Sequence, residues 1–226
     1  HLDFKSADGR TKEMIEFLET GIFPNPDPAE PPMDYVYGDA WQKLLQAEVK
    51  ENAADNWYAH LQLGLMQFQK NDLERAEMEF TRSLECGESA WAHYAMANVY
   101  VQLEDKPAAI RHTLEAIKMR DSDLGFLKVC FKLLIVMGGY AQVIELYKKL
   151  PDSFKANTRL QLGKIEALYN LDKKKEAFDL LCRDGGIEVD DIAEGDDILT
   201  RLWNELRESK HDPIPQKINF QFVYTE

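Results

Sequence analysis

The sequence predicts an all-α protein, an α-solenoid of about four helix pairs with capping helices at both ends. Three observations lead there. The residues Ala76, Ala109, Val143 and Ala177 recur at steps of 33, 34 and 34. Similar text surrounds each of them: NDLERAEMEF (71–80), EDKPAAIRHTL (104–114), GGYAQVIELY (138–147) and DKKKEAFDLL (172–181). Trp57 and Trp91 also stand 34 residues apart. A fixed period of this length marks stacked helix pairs, because one pair cannot bury both its apolar faces alone.

Each period divides into two helices. WYAHLQLGLMQFQK (57–70) carries Trp57, Leu61, Gly64/Leu65 and Phe68 at helical spacing, and Asn71-Asp72 breaks it. LERAEMEFTRSL (73–84) follows with a stripe through Leu73, Ala76, Phe80 and Leu84, and Gly87 suits a left-handed cap. The second pair is WAHYAMANVYVQL with AAIRHTLEAIKM, where Pro107 falls in a first turn and costs little. The third is LGFLKVCFKLLIVM with AQVIELYKKL, split by Gly138-Gly139; the fourth, ANTRLQLGKIEALYNL with KEAFDLLC, follows Pro151. Antiparallel helices approach closely where side chains are short, so Gly64 with Ala76 and Ala97 with Ala109 mark crossing points. Val143 is larger, which predicts looser packing in the third pair.

These residues resemble the tetratricopeptide-repeat family: a 34-residue unit, Gly or Ala midway in the first helix, and Ala opening the second. The resemblance covers about 57–182 and is strongest in the first two repeats; Phe131 and Ile165 replace the small residue in the third and fourth. It implies a right-handed solenoid, with the first helix of each pair lining a concave groove. The segments LETGIFPNPDP (18–28), VDDIAEGDDILTRLW (189–203) and PIPQKINFQF (213–222) look like the C-terminal part of large bacterial proteins. In those proteins an uncharacterised, carbohydrate-related domain precedes tetratricopeptide repeats. That likeness implies the accessory or oligomerisation end of a glycan-processing enzyme, docking on the N-terminal domain of its own full-length chain.

The flanks set the domain division: an N-terminal cap over 1–56, repeats over 57–182, and an acidic loop, capping helix and tail over 183–226. TKEMIEFLET (11–20) reads as a short helix stopped by Gly21. FPNPDPAEPP (23–32) holds five prolines in ten residues and must be extended. It reads as a stiff strap on the protein, anchored by Phe23, Met33, Tyr35 and Tyr37, in preference to a ligand for another protein's groove. Asp39 can cap a helix through Trp41, Leu44, Leu45 and Val49 that shields the first repeat. The acidic stretch 184–197 lacks the fixed register of a calcium loop. ILTRLWNELRE (198–208) reads as a capping helix, and KINFQFVY (217–224) as an extended tail over helices.

With 226 residues, 45% hydrophobic and 30% charged, the composition is that of an ordinary globular protein. The formal net charge of −13 argues against nucleic acid and anionic membranes as partners. No apolar run approaches the roughly 20 residues of a membrane span. With no signal peptide evident, a cytoplasmic location is expected, although a start at His1 is consistent with an excised fragment. The three cysteines, Cys86, Cys130 and Cys182, are too few and too scattered for a disulfide framework and read as reduced, mostly buried thiols.

No catalytic chemistry is expected. Of the five histidines, His60 and His93 occupy one repeat position, 33 apart, and no His-x-x-x-His pair or Cys-x-x-Cys exists, so no metal site or cofactor is expected. P-loop, Gly-x-Ser-x-Gly and Gly-x-Gly-x-x-Gly signatures are absent. The residue pattern therefore points to an interaction module for a protein or peptide partner, with homodimerisation through Trp203 and the tail as a further possibility. Placing the repeats in the family's register predicts the groove: Tyr58, Leu61, Leu65 and Phe68; Trp91, Tyr94, Asn98 and Gln102; Lys128 and Lys132; Arg159, Glu166 and Tyr169. Leu61, Leu65 and Phe68 also suit contact with the N-terminal helix. Trp91, Tyr94 and Asn98 suit peptide recognition, and Lys128, Lys132 and Arg159 form a basic corner for a partner carboxylate. Such a groove should bind with affinity on the order of micromolar.

Overall fold

The computed structural model describes residues 9–32, 35–50, 55–189, 197–208 and 214–218, and every regular element among them is helical. Helices α1 (Gly9–Thr20) and α2 (Asp39–Lys50) come first. The predicted pairs follow: α3 (Trp57–Gln69) with α4 (Leu73–Cys86), and α5 (Ala90–Gln102) with α6 (Lys106–Met119). Next come α7 (Leu124–Val136), α8 (Tyr140–Lys149), the one-turn α9 (Asp152–Lys155), α10 (Thr158–Asn170) and α11 (Lys174–Cys182), and α12 (Ile198–Leu206) ends the series. Within each unit helices pack mainly on their sequence neighbours, most extensively α3 on α4 and α5 on α6, and much less α7 on α8, where Val143 stands in the Ala position. The one-turn α9 was not foreseen; Pro151 opens it.

The repeat is written in the backbone as well as in the residues. Each first helix starts at a side-chain cap: Asn56, Ser89, Asp123 and Asn157 accept hydrogen bonds from backbone N–H groups two or three residues on. Each turn between paired helices holds one left-handed residue, Asn71 (φ 60°), Glu104 (57°), Gly138 (78°) and Asp172 (59°). Both series step by 33, 34 and 34, as do Ala76, Ala109, Val143 and Ala177, all of which are fully buried. This register corrects the tryptophan spacing. Trp57 is the first residue of α3 and Trp91 the second of α5, so Trp91 matches Tyr58 and Trp57 matches Ala90.

The chain divides into two compact units, residues 1–121 and 122–226. In the first, α2 packs on α3 with Leu45 fully buried. Phe17 of α1 stacks on Trp41 of α2 and meets Phe23 edge-on at 4.9 Å. Gly21 closes α1 in the left-handed region (φ 74°), its N–H bonded to the Phe17 carbonyl. Gly64 faces the Phe80 ring so closely that a Cβ there would lie 2.4 Å from it. Gly87 ends α4 in extended backbone (φ −175°) and not as a left-handed cap. Glycine is needed at that position for space, since a Cβ would come within 2.9 Å of Pro28 and 3.1 Å of Trp57.

In the second unit α10 packs on α7 and α8, pairs with α11, and α12 covers α10 and α11. Phe131 fills the position occupied by a small residue in the first two repeats, and Gly163 of α10 lies against its ring. Trp203 is fully buried and stacks on Phe178, so it serves the core of this unit. Of the predicted tail only Lys217 and Ile218 are described, with Ile218 buried; residues 219–224 lie outside the described residues, as do 190–196 of the acidic loop and the anchor Met33. Cys130 is buried, Cys182 half-buried, and Cys86, at the last position of α4, is exposed rather than buried.

Candidate partner-binding surfaces

In the first unit the proline-rich strap lies along α3 and α5, held mostly through its carbonyls. Prolines cannot donate a backbone hydrogen bond, so an extended segment rich in them offers acceptors. The Trp57 indole N–H donates to the Pro26 carbonyl (2.7 Å), the Trp91 indole N–H to that of Glu30 (3.0 Å), and Arg120 Nη1 to that of Ala29 (3.0 Å). The Arg120 guanidinium also lies 4.8 Å over the Trp91 ring. Farther along, the Val36 N–H donates to the fully buried Gln62 side chain (3.1 Å).

The strap's side chains anchor it unevenly. Phe23 is buried and stacks on Tyr58 at 5.3 Å. Val36 is buried too, whereas Tyr35 and Tyr37, expected as anchors, are exposed. In an extended chain neighbouring side chains point to opposite sides, so the inward Val36 turns both tyrosines out. They form one wall of a cleft of about 490 Å³ whose other walls are Leu61, Leu65, Phe68, Trp91, Tyr94 and Asn98. The Asn98 amide donates to the Tyr94 carbonyl (2.7 Å).

Six of the predicted groove residues of this unit, Leu61, Leu65, Phe68, Trp91, Tyr94 and Asn98, thus meet in one cleft. Tyr58 does not join them, because Phe23 covers it. Gln102, in the last turn of α5, is exposed and outside the cleft lining.

In the second unit four of the predicted groove residues come together. Lys128 and Lys132 of α7 and Arg159 and Glu166 of α10 line one cavity of about 240 Å³. Helix α12 completes it with Asp197, Ile198 and Arg201, and Arg201 pairs with Glu166 at 3.2 Å. Four cations against two carboxylates leave this cavity positive in a protein of net charge −13. Tyr169 lies outside this cavity, with the Lys174 ammonium 5.9 Å from its ring. Sequence reasoning placed α12 as a cap but did not assign Arg201 to the corner. The available signal was its position on the same helix as the inward-facing Ile198 and Leu202.

Two histidines sit at the same position of successive repeats. His60 Nδ1 lies 2.7 Å from Glu79 and its Nε2 2.9 Å from Asp55. Burial works to lower its pKa, but the two carboxylate hydrogen bonds outweigh it and the net shift is upward. His93 instead meets His112, Nδ1 to Nδ1 at 3.0 Å, and has Glu88 at 3.5 Å from its Nε2. Burial, with His93 and Arg111 nearby, pushes His112 down to about 4. Tyr100 stacks on His112; burial and its hydrogen bond to Glu77 push its phenol up to about 12.

Comparison with protein-family models and with curated proteins finds no match to this chain. No described helix is long and apolar enough to cross a membrane.

Proposed function

We propose that the protein is an interaction module: a tetratricopeptide-type solenoid that holds an extended peptide segment of a protein partner on the first helices of its repeats. The observation that carries this is the strap itself. An extended, proline-rich segment already lies across α3 and α5, gripped through its backbone by Trp57, Trp91 and Arg120. Backbone recognition of this kind tolerates many sequences, and side-chain pockets then supply selectivity. Beside the strap, the cleft of Leu61, Leu65, Trp91, Tyr94 and Asn98 combines apolar wall with an aromatic and an amide, the composition expected of a peptide anchor site. The positive cavity of the second unit supports a partner carrying a carboxylate.

The test uses a fluorescent peptide of residues 22–37 added in trans to the full chain. Phe23→Ala/Val36→Ala, which loosens the strap, should bind this peptide at about micromolar affinity, and the wild type at least tenfold more weakly. Adding Trp91→Ala/Asn98→Ala should cut binding by a further tenfold. Equal, weak binding by all three proteins would count against the surface as a peptide site.

A further inference from the structure

In the first repeat, three donors of different kinds converge between the start of α3 and the end of α4. Asp55 Oδ1 lies 2.9 Å from His60 Nε2 and 3.9 Å from Cys86 Sγ, and all three donor atoms fall within 4.8 Å of one another. Behind them His60 Nδ1 makes its 2.7 Å hydrogen bond to Glu79. That second carboxylate matters, since it holds a proton on Nδ1 and so directs Nε2, the other ring nitrogen, at Asp55 and Cys86. His60 is buried while Asp55 and Cys86 are exposed, so the cluster is anchored on the inside and reachable from solvent.

We infer that Asp55, His60 and Cys86 form a zinc-binding site with its fourth position open to water. Ligand type and distance both favour zinc among divalent ions. Carboxylate, imidazole and thiolate together are the donors zinc takes, whereas magnesium and calcium require oxygen alone. Zinc bonds of about 2.0–2.3 Å at tetrahedral angles place donors about 3.4–3.6 Å apart. The cluster therefore needs shifts of about an ångström or less, in two side chains that are exposed. Zinc would take the place of the proton between His60 Nε2 and Asp55 Oδ1 and release that of the Cys86 thiol, while Glu79 keeps the proton on Nδ1.

The second repeat supplies an internal contrast. Thirty-three residues on, Asp55, His60, Glu79 and Cys86 become Glu88, His93, His112 and Met119. A carboxylate and the histidine persist, but the orienting carboxylate has become an imidazole and the thiol a thioether, a weak donor that carries no charge. Shared packing explains why a histidine recurs. It does not explain why a thiol and an orienting second carboxylate flank only the first.

The experiment is cobalt(II) titration of the full chain, untagged and stripped with chelator, followed by displacement with zinc. One equivalent of cobalt should raise a thiolate-to-metal charge-transfer band that zinc abolishes. Cys86→Ser should remove the band and weaken zinc binding more than tenfold, and Glu79→Gln should weaken it 10–100-fold while keeping the band. Cys182→Ser should change neither. Because His60 is buried and its replacement can cost the fold, Asp55→Asn, at an exposed position, is the second ligand variant and should also lose at least tenfold. No charge-transfer band, or zinc affinity unchanged in Cys86→Ser and Asp55→Asn, would overturn the assignment and leave a histidine clamped between two carboxylates.

Discussion

Tyr58 and Trp91 hold the same position in successive repeats, and their different fates show how one fold position serves two purposes. Tyr58 is fully buried because Phe23 of the strap stacks on it. Trp91 is half-buried, tied by its indole N–H to the Glu30 carbonyl, with one face under Arg120 and a share in the open cleft. In the first repeat the strap's side chain has become core. In the second the hydrogen bond that holds the strap goes to its backbone, and the tryptophan keeps part of its surface in the open cleft. The period fixes where a side chain points, and the flanking segment decides whether that direction is interior or surface.

The sharpest way to break this comparison is to remove the two contacts separately. Phe23→Ala should cost about 3–5 kcal/mol, the range for deleting a buried aromatic ring. Trp91→Ala should cost only about 1–2 kcal/mol, since part of its area is already in water and one hydrogen bond is lost. Denaturant titration of both variants measures the difference. Equal costs would mean that the strap is no more part of the first repeat's core than of the second's.

The small residues at the helix crossings offer a second contrast. Gly64 faces Phe80, while thirty-three residues on Ala97 and Thr113 stand at the same two positions, both fully buried. Each repeat has divided a similar volume differently between its helices. Gly64→Ala should cost about 3 kcal/mol, because the new Cβ meets the Phe80 ring at 2.4 Å. Phe80→Thr alone should cost a similar amount through lost burial. The double variant, which copies the second repeat's solution, should be within about 1 kcal/mol of Phe80→Thr alone. Additive losses in a double-mutant cycle would show that the two positions do not share their space.

The helix pairs, their bounds and the register of 33 and 34 were legible in the sequence, because small residues, caps and turn residues all repeat with one period. The four fully buried residues from Ala76 to Ala177 and the left-handed turns at Asn71, Glu104, Gly138 and Asp172 agree on it. The tryptophan spacing misled by one residue because a single shared residue type carries no phase information; the caps at Asn56 and Ser89, with Ala76 and Ala109, set the phase. Local pattern also could not reveal what the strap covers. Tyr35 and Tyr37 look like better anchors than Val36 on size, yet alternation along an extended chain makes only one side inward. The cluster at His60 was invisible for a related reason. Its members are 5, 19 and 26 residues from His60, and no short motif joins them until α3 and α4 pack.

The histidines extend the contrast to pH. His112 has its pKa held at about 4 in the folded protein against 6.5 as an ordinary side chain, with His93, Tyr100, Arg111 and Glu115 around it. Between these values the unfolded chain binds the extra proton and the folded one does not. Stability is therefore unaffected by this group above about pH 6.5 and falls as pH drops from 6.5 towards 4. Denaturation midpoints across that window should show the loss in the wild type and a flatter profile in His112→Gln.

The smallest effect tests the turns. Asn71, Glu104 and Asp172 sit in the left-handed region with a Cβ, whereas Gly138 meets the same demand without one. Asparagine and aspartate tolerate this conformation through short side chains that bond locally; glutamate is longer and gains less. Glu104 also lies at an exposed turn, so its replacement removes no packing. Glu104→Gly should therefore raise stability by about 0.5–1 kcal/mol, Asn71→Gly by less, and Gly138→Ala should lower it by about 1 kcal/mol. Opposing signs at Glu104 and Gly138 would show that the backbone conformation, rather than any contact of the side chain, is what each repeat demands at this turn. A loss in Glu104→Gly would mean that the glutamate makes a compensating interaction which glycine cannot.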